Sequence, residues 1–446
     1  MVYKSSDQKV AILGYTPREE VLVKKIKDQN PNCEILLFTP NTNIALEERV
    51  DRVYRIDFND INETLIIPMR QINPQVAIVG PDTLSEKGIV DVLTREGVPI
   101  FGANQEQIKV ETDKSYLRKR SEQLHSFFPE SLVLENKKPN LIRQFSTRHE
   151  RFVVKYTGIY FVLGGGVKFS DVHFSSFEDI LEYCADSINQ CGSVVLEQFV
   201  EGLDFSINAI AGADGSVHFL PENFCYKRRD NSDQGPNTSG TGSVCIGRGL
   251  PFLSTEQVEK ARTITCQVVN WMNSYFGKPY IGGLNVDFRV GRDRKIYLFE
   301  INCRFAGAGT LSTVLDLCNT NLLELVSSAV NGKPLPRHSS QIADQASIAV
   351  FAFPQFWPGD IATDDDLKVR IPTAKTLDDV NLFTGWVEVL DSKRDHRLVS
   401  LKDSTTLIYQ TRDVTLQDAM KRVYQKLQSL PDRLVYRTDI GVNFLL

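Results

Sequence analysis

Three polar side chains stand at the end of an apolar run, in positions from which they could bind a cation. Glu300, Asn302 and Arg304 follow residues 296–299, Ile-Tyr-Leu-Phe, a pattern typical of a buried strand. Because alternate residues of a strand share a face, the three side chains are expected to point in one direction. Asp287, on another apolar run, offers a second carboxylate. Carboxylate and amide oxygens are ligands that suit Mg²⁺, often together with nucleotide phosphates, but solvated residues at a strand end explain the spacing equally well.

Two lysines and a run of glycines are residue types suited to a phosphorylated ligand. Lys155 ends the apolar run at 152–155, and Lys114 lies in a predicted helix at 111–127. Consecutive glycines let backbone amides approach a phosphate without hindrance from side chains. The run comprises Gly164, Gly165 and Gly166. Taken singly, a lysine at a strand end usually extends to solvent and a glycine run is usually a hairpin tip, so neither feature is decisive.

The N-terminal part of the chain predicts a parallel sheet. Apolar runs at 10–13, 34–38 and 76–79 alternate with segments of helical spacing, which favours strands connected by helices. Ligands bind such sheets at the carboxyl ends of the strands, where Gly14 and Gly80 lie. A single glycine at a strand end more often serves a turn than a ligand.

The rest of the chain mixes strands and helices. Residues 194–200 predict a strand, and the alternating run at 204–210 that follows predicts an antiparallel neighbour with one solvated face. Residues 227–242 are rich in Gly, Pro, Asn and Ser and predict a long irregular loop. Short strands and one helix after residue 345 predict a small C-terminal α+β domain. The predicted divisions are a parallel-sheet domain at 1–108, a central domain at 109–340 and the C-terminal domain at 341–446.

The composition of the 446 residues is ordinary for a globular protein, with 42% hydrophobic and 24% charged residues. A net charge of −5 gives no reason to expect nucleic acid or an anionic membrane as a partner. The eight cysteines include no CxxC pair and predict reduced thiols rather than disulfides or a zinc site. The segment MVYKSSDQKV lacks the apolar core of a signal peptide, and no apolar stretch is long enough to span a bilayer, so we expect a cytoplasmic protein.

Taken in order, the lysines, the glycine run and the acidic strand ends resemble the ATP-grasp ligases, in which two α+β subdomains close on ATP and Mg²⁺. Within that superfamily the chain resembles phosphoribosylamine–glycine ligase over nearly its whole length. The segments that carry this resemblance are VGPD at 79–82, GIVD at 88–91, PIFG at 99–102, DQGPNT at 233–238, NCRF at 302–305, WPGD at 357–360 and RTDIG at 437–441. The resemblance implies an ATP-grasp architecture of α/β and α+β parts: an N-terminal parallel-sheet domain, a central two-subdomain ATP-grasp domain with its lid subdomain at about 128–202, and a small C-terminal α+β domain.

The resemblance also implies roles for individual residues. Those expected to bind ATP are Lys114 and Lys155 at the phosphates, Gly164, Gly165 and Gly166 as the lid, Glu197 and Val200 at adenine, and Asp204 at the ribose hydroxyls. Those expected to bind Mg²⁺, with Mn²⁺ as an alternative, are Asp287, Glu300 and Asn302. Arg304 would pair with the substrate carboxylate or its acyl phosphate, and is expected to be catalytic together with Lys155. Further substrate contacts are expected from Lys227, Arg228, Asn237 and Thr238.

The activity that the resemblance implies is the ligation of two small molecules. A carboxylate attacks the γ-phosphate of ATP, ADP leaves, and an amine attacks the acyl phosphate to give an amide and phosphate. The partners expected are therefore a small-molecule carboxylate and amine, with no nucleic acid and no membrane. The protein is expected to act as a monomer or homodimer.

The segments expected to contact the substrates depart from the family pattern. Residues 14–21 read GYTPREEV where the family has the glycine-rich GSGGREHA, and Pro17 removes an amide donor. Residues 39–43, TPNTN, replace a second glycine-rich loop, residues 306–309, AGAG, replace Gly-Asp-Pro-Glu, and Gly165 stands in place of a lysine in the lid. These departures favour a ligase that joins an amino-acid carboxylate to an amine other than phosphoribosylamine. Phosphoribosylamine–glycine ligase itself, and a non-catalytic ATP-binding regulatory relative, are the alternatives.

Overall fold

The structure is a computed structural model. It describes residues 8–157, 166–338, 342–358, 368–372, 377, 380–385, 388–393, 396–400, 406–428, 430 and 434–445. Among the helices within these ranges, none is long and apolar enough to cross a membrane.

The N-terminal residues form the expected parallel sheet with helices around it. Its elements are β1 (Lys9–Leu13), α1 (Pro17–Gln29), β2 (Glu34–Thr39), α2 (Ile44–Glu47), β3 (Arg52–Arg55), α3 (Ile67–Ile72), β4 (Val76–Val79), α4 (Asp82–Glu86), α5 (Ile89–Arg95) and β5 (Ile100–Phe101). The strand order is β3-β2-β1-β4-β5. β1 pairs in parallel with β2 on one side and β4 on the other, so the direction of the connections reverses between β1 and β4. That reversal leaves a crevice at the carboxyl ends of these two strands.

Two short helices lead from this sheet to a smaller antiparallel one. The elements are α6 (Lys109–Thr112), α7 (Lys114–Arg120), β6 (Ser131–Leu134), α8 (Pro139–Arg148), β7 (Phe152–Tyr156), β8 (Val167–Phe169), α9 (Phe177–Cys191) and β9 (Val194–Gln198). The strand order is β6-β9-β7-β8. Apolar side chains of α8 and α9 pack with those of β7 and β9 in one buried cluster, which fixes the sheet from one face.

Antiparallel strands from the centre of the chain and from its C-terminal part join in one large sheet. The central elements are β10 (Gly202–Ala211), β11 (Val217–Phe219), β12 (Asn223–Asp230), β13 (Gln234–Ile246), α10 (Thr255–Phe276), β14 (Gly282–Gly291), β15 (Ile296–Asn302), α11 (Ala308–Leu317) and α12 (Leu322–Val330). The C-terminal elements are β16 (Ala346–Pro354), β17 (Lys368–Pro372), β18 (Asn381–Phe383), β19 (Glu388–Ser392), β20 (His396–Ser400), β21 (Leu407–Asp413), α13 (Leu416–Leu427) and β22 (Leu434–Tyr436). The main path of the large sheet is β15-β14-β10-β12-β13-β16-β21-β18, whereas β17, β20 and β19 form a separate three-stranded sheet. β13 and β16 are neighbours, so the C-terminal strands continue the central sheet.

The segment 227–242 is a hairpin, so the prediction of a long irregular loop is wrong. Its residues extend β12 and β13, which pair from Asn223 with Cys245 to Asp230 with Gln234, with register shifts on the way. Where the strand pairing is irregular, threonine hydroxyls supply hydrogen bonds to the opposite strand. Thr238 Oγ1 donates to the Lys227 carbonyl at 2.9 Å, and Thr241 Oγ1 donates to the Arg228 carbonyl at 2.8 Å. Composition therefore led to the wrong prediction for this segment, because its small and polar residues pair as strands.

Candidate active site

The floor of the candidate site is the antiparallel pair β14 and β15. Asp287 lies opposite Glu300, and Asn285 lies opposite Asn302. The register shifts between Asp287 and Phe288, because Phe288 pairs with Leu298 and the residue between Leu298 and Glu300 is passed over. Such a bulge re-aims the side chains beside it. The bulge and the pairing bring the two carboxylates and the Asn302 amide onto neighbouring positions of the sheet.

Two lysines compensate the charge of the paired carboxylates. Lys114 Nζ lies 3.0 Å from Glu300 Oε1, and this ammonium lowers the pKa of Glu300 to about 2. Burial raises the pKa of Asp287, while Lys227, with Nζ at 3.6 Å from Asp287 Oδ2, opposes that rise. Ser206 Oγ also donates to Asp287 Oδ1 at 2.6 Å. The arrangement holds negative charge at a partly buried position, which is what a bound cation requires.

The donor set fits Mg²⁺ better than a softer metal. It consists of the carboxylates of Asp287 and Glu300 and the amide oxygen of Asn302, all hard oxygen donors. Within the described residues no group of three or more His, Cys, Asp or Glu side chains is placed to hold a metal ion. A cation at this site would therefore rely on an amide oxygen and on ligands from a substrate, as Mg²⁺ commonly does beside phosphates.

A row of asparagine side chains fixes the orientation of Asn302. Asn302 Nδ2 donates to the backbone and side-chain oxygens of Asn285 at 3.1 and 3.2 Å. Asn285 Nδ2 donates to Asn208 Oδ1 at 3.2 Å, and Asn208 Nδ2 donates to Asn223 Oδ1 at 2.8 Å. Arg304 donates to Asn302 Oδ1 at 3.2 Å, and a guanidinium can only donate. The amide oxygen of Asn302 is therefore the atom turned toward Arg304.

Arg304 is held by a buried carboxylate from outside the sheet. Its guanidinium lies 2.9 Å from Glu111 Oε1, and Glu111 Oε2 accepts from the Cys303 amide at 2.7 Å. Burial raises the pKa of Glu111 to about 6, against the attraction of Arg304. The guanidinium also donates to the Phe305 carbonyl at 3.2 Å. Arg304 is thus fixed in direction at the end of β15.

Lys155 and Arg118 share one buried carboxylate. Lys155 Nζ forms an ion pair with Glu197 Oε1, and Arg118 lies 2.5 Å from Glu197 Oε2. Burial opposes ionisation of Glu197, but the two cations outweigh it and lower its pKa. Arg118 also donates to the Phe299 carbonyl at 3.2 Å, which ties α7 to β15. The Glu197 carboxylate is occupied by these cations, so an adenine contact at this residue would have to use its backbone.

The residues expected at the nucleoside end are linked to Arg289. Asp204 accepts from this guanidinium at 2.5 and 2.9 Å, and the Val200 carbonyl accepts from it at 2.7 Å. Asp204 and Arg289 lie opposite each other on β10 and β14. Two residues along each strand, Ser206 and Asp287 form the next pair on the same face. The residues expected to contact the nucleoside and those expected to bind the metal therefore follow one another along the sheet.

The hairpin β12–β13 carries the residues expected at the substrates and is held by the C-terminal RTDIG segment. Lys227 faces Asp287, whereas Arg228 donates to the Gly235 carbonyl at 3.0 Å within the hairpin. Arg437 donates to the Arg228 carbonyl at 3.0 Å and to Asp233 and Asp439 at 2.7 Å. Asn237 pairs with Arg228 across the hairpin, and Thr238 bonds to the Lys227 carbonyl. Lys227 is the member of this set that the hairpin brings to the carboxylates.

The start of α1 is closed by its own side chains. Thr16 caps the helix and Glu19 completes a capping box, in which the Thr16 amide donates to Glu19 Oε2 at 2.7 Å. The Arg18 amide donates to Thr16 Oγ1 at 3.3 Å, and Pro17 has no amide hydrogen. The Glu19 carboxylate occupies the space above the strand ends, because a Cβ added at Gly80 would lie 1.8 Å from its Oε1 and one at Gly14 2.5 Å from its Oε2. The Glu19 side chain therefore closes the start of this helix over the ends of β1 and β4.

Partners of the predicted site residues went unnoticed in the sequence. These are Arg118 beside Glu197, Arg289 beside Asp204 and Glu111 beside Arg304. Helical spacing could have indicated Arg118, which follows Lys114 by four residues. Strand alternation could have indicated Arg289, which follows Asp287 by two. Gly164 and Gly165 lie outside the described residues, as do the last two residues of WPGD; the Gly166 carbonyl accepts from the Tyr156 amide at 2.8 Å.

Family models and curated relatives indicate one family, and solved structures share the fold. Residues 8–111 match the family model described as phosphoribosylglycinamide synthetase, N domain, and residues 112–310 match phosphoribosylglycinamide synthetase, ATP-grasp (A) domain. The chain is 24% identical to a phosphoribosylamine–glycine ligase of Methanococcus maripaludis over 98% of this chain and 97% of that protein. It is similar in fold to a phosphoribosylamine–glycine ligase of Thermotoga maritima, with a TM-score of 0.74, 18% identity, and coverage of 97% of this chain and 100% of that one. The biotin carboxylase domain of a Hydrogenobacter thermophilus 2-oxoglutarate carboxylase, in complex with MgADP, ADP and bicarbonate, is also similar, with a TM-score of 0.67, 12% identity, and coverage of 96% and 91%.

Proposed function

Because the chain belongs to the phosphoribosylglycinamide synthetase family of ATP-grasp ligases, we propose that it joins the carboxylate of an amino acid to an amine, with ATP converted to ADP and phosphate. The observation that carries this proposal is the face of the sheet where Asp287, Glu300 and Asn302 lie next to Lys114 and Arg304. The reaction needs acidic residues that bind a cation, a lysine that binds phosphate and an arginine that binds a carboxylate.

ATP is bound between the small antiparallel sheet and the large one. Lys114 and Lys155 contact its phosphates; each ammonium carries three N–H donors, so its ion pair with Glu300 or Glu197 leaves others for the ligand. The backbone at Glu197 and Val200 contacts adenine, and Asp204 contacts the ribose. Mg²⁺, bound by Asp287, Glu300 and Asn302, supplies charge neutralisation at the phosphates.

The remaining residues orient the two substrates. Arg304, fixed by Glu111, pairs with the substrate carboxylate and turns one of its oxygens toward the γ-phosphorus. That oxygen forms the new P–O bond as the bond to ADP breaks. The amine then attacks the carbonyl carbon of the acyl phosphate, phosphate leaves and the amine loses a proton. Lys227, Arg228, Asn237 and Thr238 are assigned to the substrate side of this exchange, and no enzyme nucleophile is needed.

The test is phosphate release from ATP across a panel of amino acids, offered singly and in pairs, in the presence of Mg²⁺. Release that depends on an amino acid and an amine, with an amide in the product, is the expected result. Binding of ATP without release under any of these conditions would instead indicate a non-catalytic ATP-binding relative.

Phosphoribosylamine–glycine ligase activity is the second candidate function. It is supported by the name of the Methanococcus maripaludis relative and by the near-complete coverage of both chains. The observation against it is the loss of the family's glycines at the start of α1, where Pro17 has no amide hydrogen to donate. Turnover with phosphoribosylamine and glycine, but with no other amine, would establish the second candidate and exclude the first.

A further inference from the structure

A cavity of about 490 Å³ opens at the carboxyl edge of the N-terminal sheet. Its walls come from the segments that follow β1, β2, β3 and β4, with Tyr15, Asn41, Phe58 and Thr83 among the residues. This is the edge where α/β sheets bind ligands, next to the reversal between β1 and β4. The volume is that of a small-molecule site.

Hydrogen bonds from Arg18 link the end of β4, at this edge of the sheet, to the loop that follows Arg304. Arg18 donates to the Gly80 carbonyl at 2.8 Å and to the Ala306 carbonyl at 3.0 Å, so one guanidinium joins the end of β4 to the loop just after Arg304. Thr83 lies three residues beyond Gly80 at the start of α4 and lines the cavity. The cavity and the loop that follows Arg304 therefore both lie near the carboxyl end of β4.

The chemistry of the walls does not suit a phosphate dianion. At the start of α1, which lies at this edge, Pro17 has no amide hydrogen, the Arg18 amide donates to Thr16 Oγ1 and the Thr16 amide donates to Glu19 Oε2. Lys87 is the lysine of the lining, and its Nζ lies 3.6 Å from the centre of the Phe58 ring, while Asp57 adds a negative charge. A phosphate would thus meet one cation, already engaged with a ring, and one carboxylate.

The same walls suit a flat or branched apolar group. Phe58 and Tyr15 provide aromatic surface, whereas Leu84 and Ile56, which are 1% and 6% exposed, add little. Tyr15 is held in place by a 2.9 Å hydrogen bond between its hydroxyl and Thr83 Oγ1. Aromatic walls with a few fixed polar groups are typical of pockets that bind apolar small molecules in a defined orientation.

We infer that this cavity binds the amine substrate, and that this substrate is an unphosphorylated amine with an aromatic or branched aliphatic group. The inference rests on the proposed ligase function. It deepens that proposal by naming the class of amine.

The inference is tested by calorimetric titration, which needs no turnover. The probes are phenylalaninamide and leucinamide, which offer an amine without a free carboxylate, and ribose 5-phosphate, which offers the phosphoribosyl group. We expect the amides to bind the wild-type chain and ribose 5-phosphate to bind at least tenfold more weakly. Phe58→Ala, which removes the ring, and Asn41→Trp, which narrows the cavity, should each weaken amide binding at least tenfold. The control Tyr275→Ala changes a part-exposed aromatic residue on α10 and should leave binding unchanged.

Steady-state kinetics separate failure of the inference from failure of the proposed function. In turnover, Phe58→Ala and Asn41→Trp should raise the KM for the amine at least tenfold and leave the KM for ATP within twofold. Tight binding of ribose 5-phosphate, or amide binding indifferent to both cavity variants, would overturn the inference while leaving a ligase activity intact. Amide binding that obeys the prediction, without any ATP turnover, would instead refute the ligase function.

Discussion

The Lys114 ammonium lies 3.0 Å from Glu300 Oε1, although the two residues are 186 positions apart in the chain. The contact joins the first residue of α7 to the candidate metal position on β15. Lys114 thus has two roles. It neutralises the charge of Glu300, which is assigned to the cation, and it is itself assigned to the phosphates that the cation would accompany. Charge at this point is matched before any ligand binds.

Replacing Glu300 should abolish turnover and spare the fold. In Glu300→Ala the candidate cation loses a carboxylate, and we expect phosphate release to fall by more than about 100-fold. Glu135→Ala is the control, because Glu135 also pairs with a lysine but on the surface, and its activity should match the wild type. Circular dichroism checks the fold of both variants. Full activity of Glu300→Ala would refute the metal assignment.

Removing Arg118 should destabilise the protein through a buried carboxylate. In Arg118→Met, Glu197 is fully buried with one cation instead of two, and breaking a buried pair in this way costs about 3–5 kcal/mol. Urea unfolding measures the loss. The exposed Arg120→Met on the same helix should cost less than about 1 kcal/mol. Equal losses in the two variants would show that the Arg118 ion pair has no special weight.

Arg437 should act on catalysis through the hairpin. Arg437→Lys keeps a positive charge but cannot contact the Arg228 carbonyl, Asp233 and Asp439 at once. We expect the KM for the carboxylate to rise by about tenfold and the KM for ATP to stay within twofold, which corresponds to about 1.4 kcal/mol of substrate binding. Arg397→Lys, which alters a surface pair with Glu48, is the control. A rise in both constants would argue for general loosening instead.

Gly80→Ala tests the close approach of Glu19 to the end of β4. The added methyl group would lie 1.8 Å from Glu19 Oε1, so the carboxylate would have to leave the capping box. We expect a loss of about 1–3 kcal/mol in the free energy of unfolding. Gly307→Ala is the matched control, since a Cβ there meets nothing within 4 Å. The double variant Glu19→Ala/Gly80→Ala should lose less than the sum of its parts, and strict additivity would contradict the contact.

Stability should fall with rising pH because of Glu20. This carboxyl faces the Asn43 side chain, the Thr384 amide and, at 4.0 Å, Arg49, and burial raises its pKa to about 8. The folded protein therefore keeps a proton that the unfolded chain releases above its ordinary pKa of 4.5. The stabilisation is complete below pH 4.5 and is lost as the pH rises through 8, by about 1.4 kcal/mol for each unit between. Melting temperatures of wild type and Glu20→Gln should diverge over that interval, and parallel curves would refute the shift.

Local pattern was enough to predict the parts of the fold that depend on burial alone. The apolar runs of β1, β2 and β4 predict a parallel sheet because strands covered on both faces need apolar side chains throughout. The apolar run before Glu300 likewise predicts β15, although β15 is an antiparallel edge strand that is only partly buried. The hairpin β12–β13 was not predictable from composition, because its partners include Arg437 and Asp439, about two hundred residues away along the chain.

The candidate site divides in the same way. Spacing along one strand placed Glu300 and Asn302 together, and spacing along one helix offered Arg118 next to Lys114. The pairing of Glu111 with Arg304 joins two segments that carry no common pattern, so only the folded chain reveals it. The closure of α1 by Thr16 and Glu19 was predictable only in part. The sequence shows Pro17 and the missing glycines, but it does not show the direction of the Glu19 carboxylate.

The position of β16 between β13 and β21 limits how this chain can be shortened or recombined. A protein that ended before β16 would leave β13 as an unpaired edge strand. Unpaired strand edges promote aggregation. It would also lose Arg437 and with it the support of the hairpin. The last hundred residues therefore cannot be exchanged between relatives as a cassette, and a crossover inside the β13–β16 pair would need both strands from the same parent.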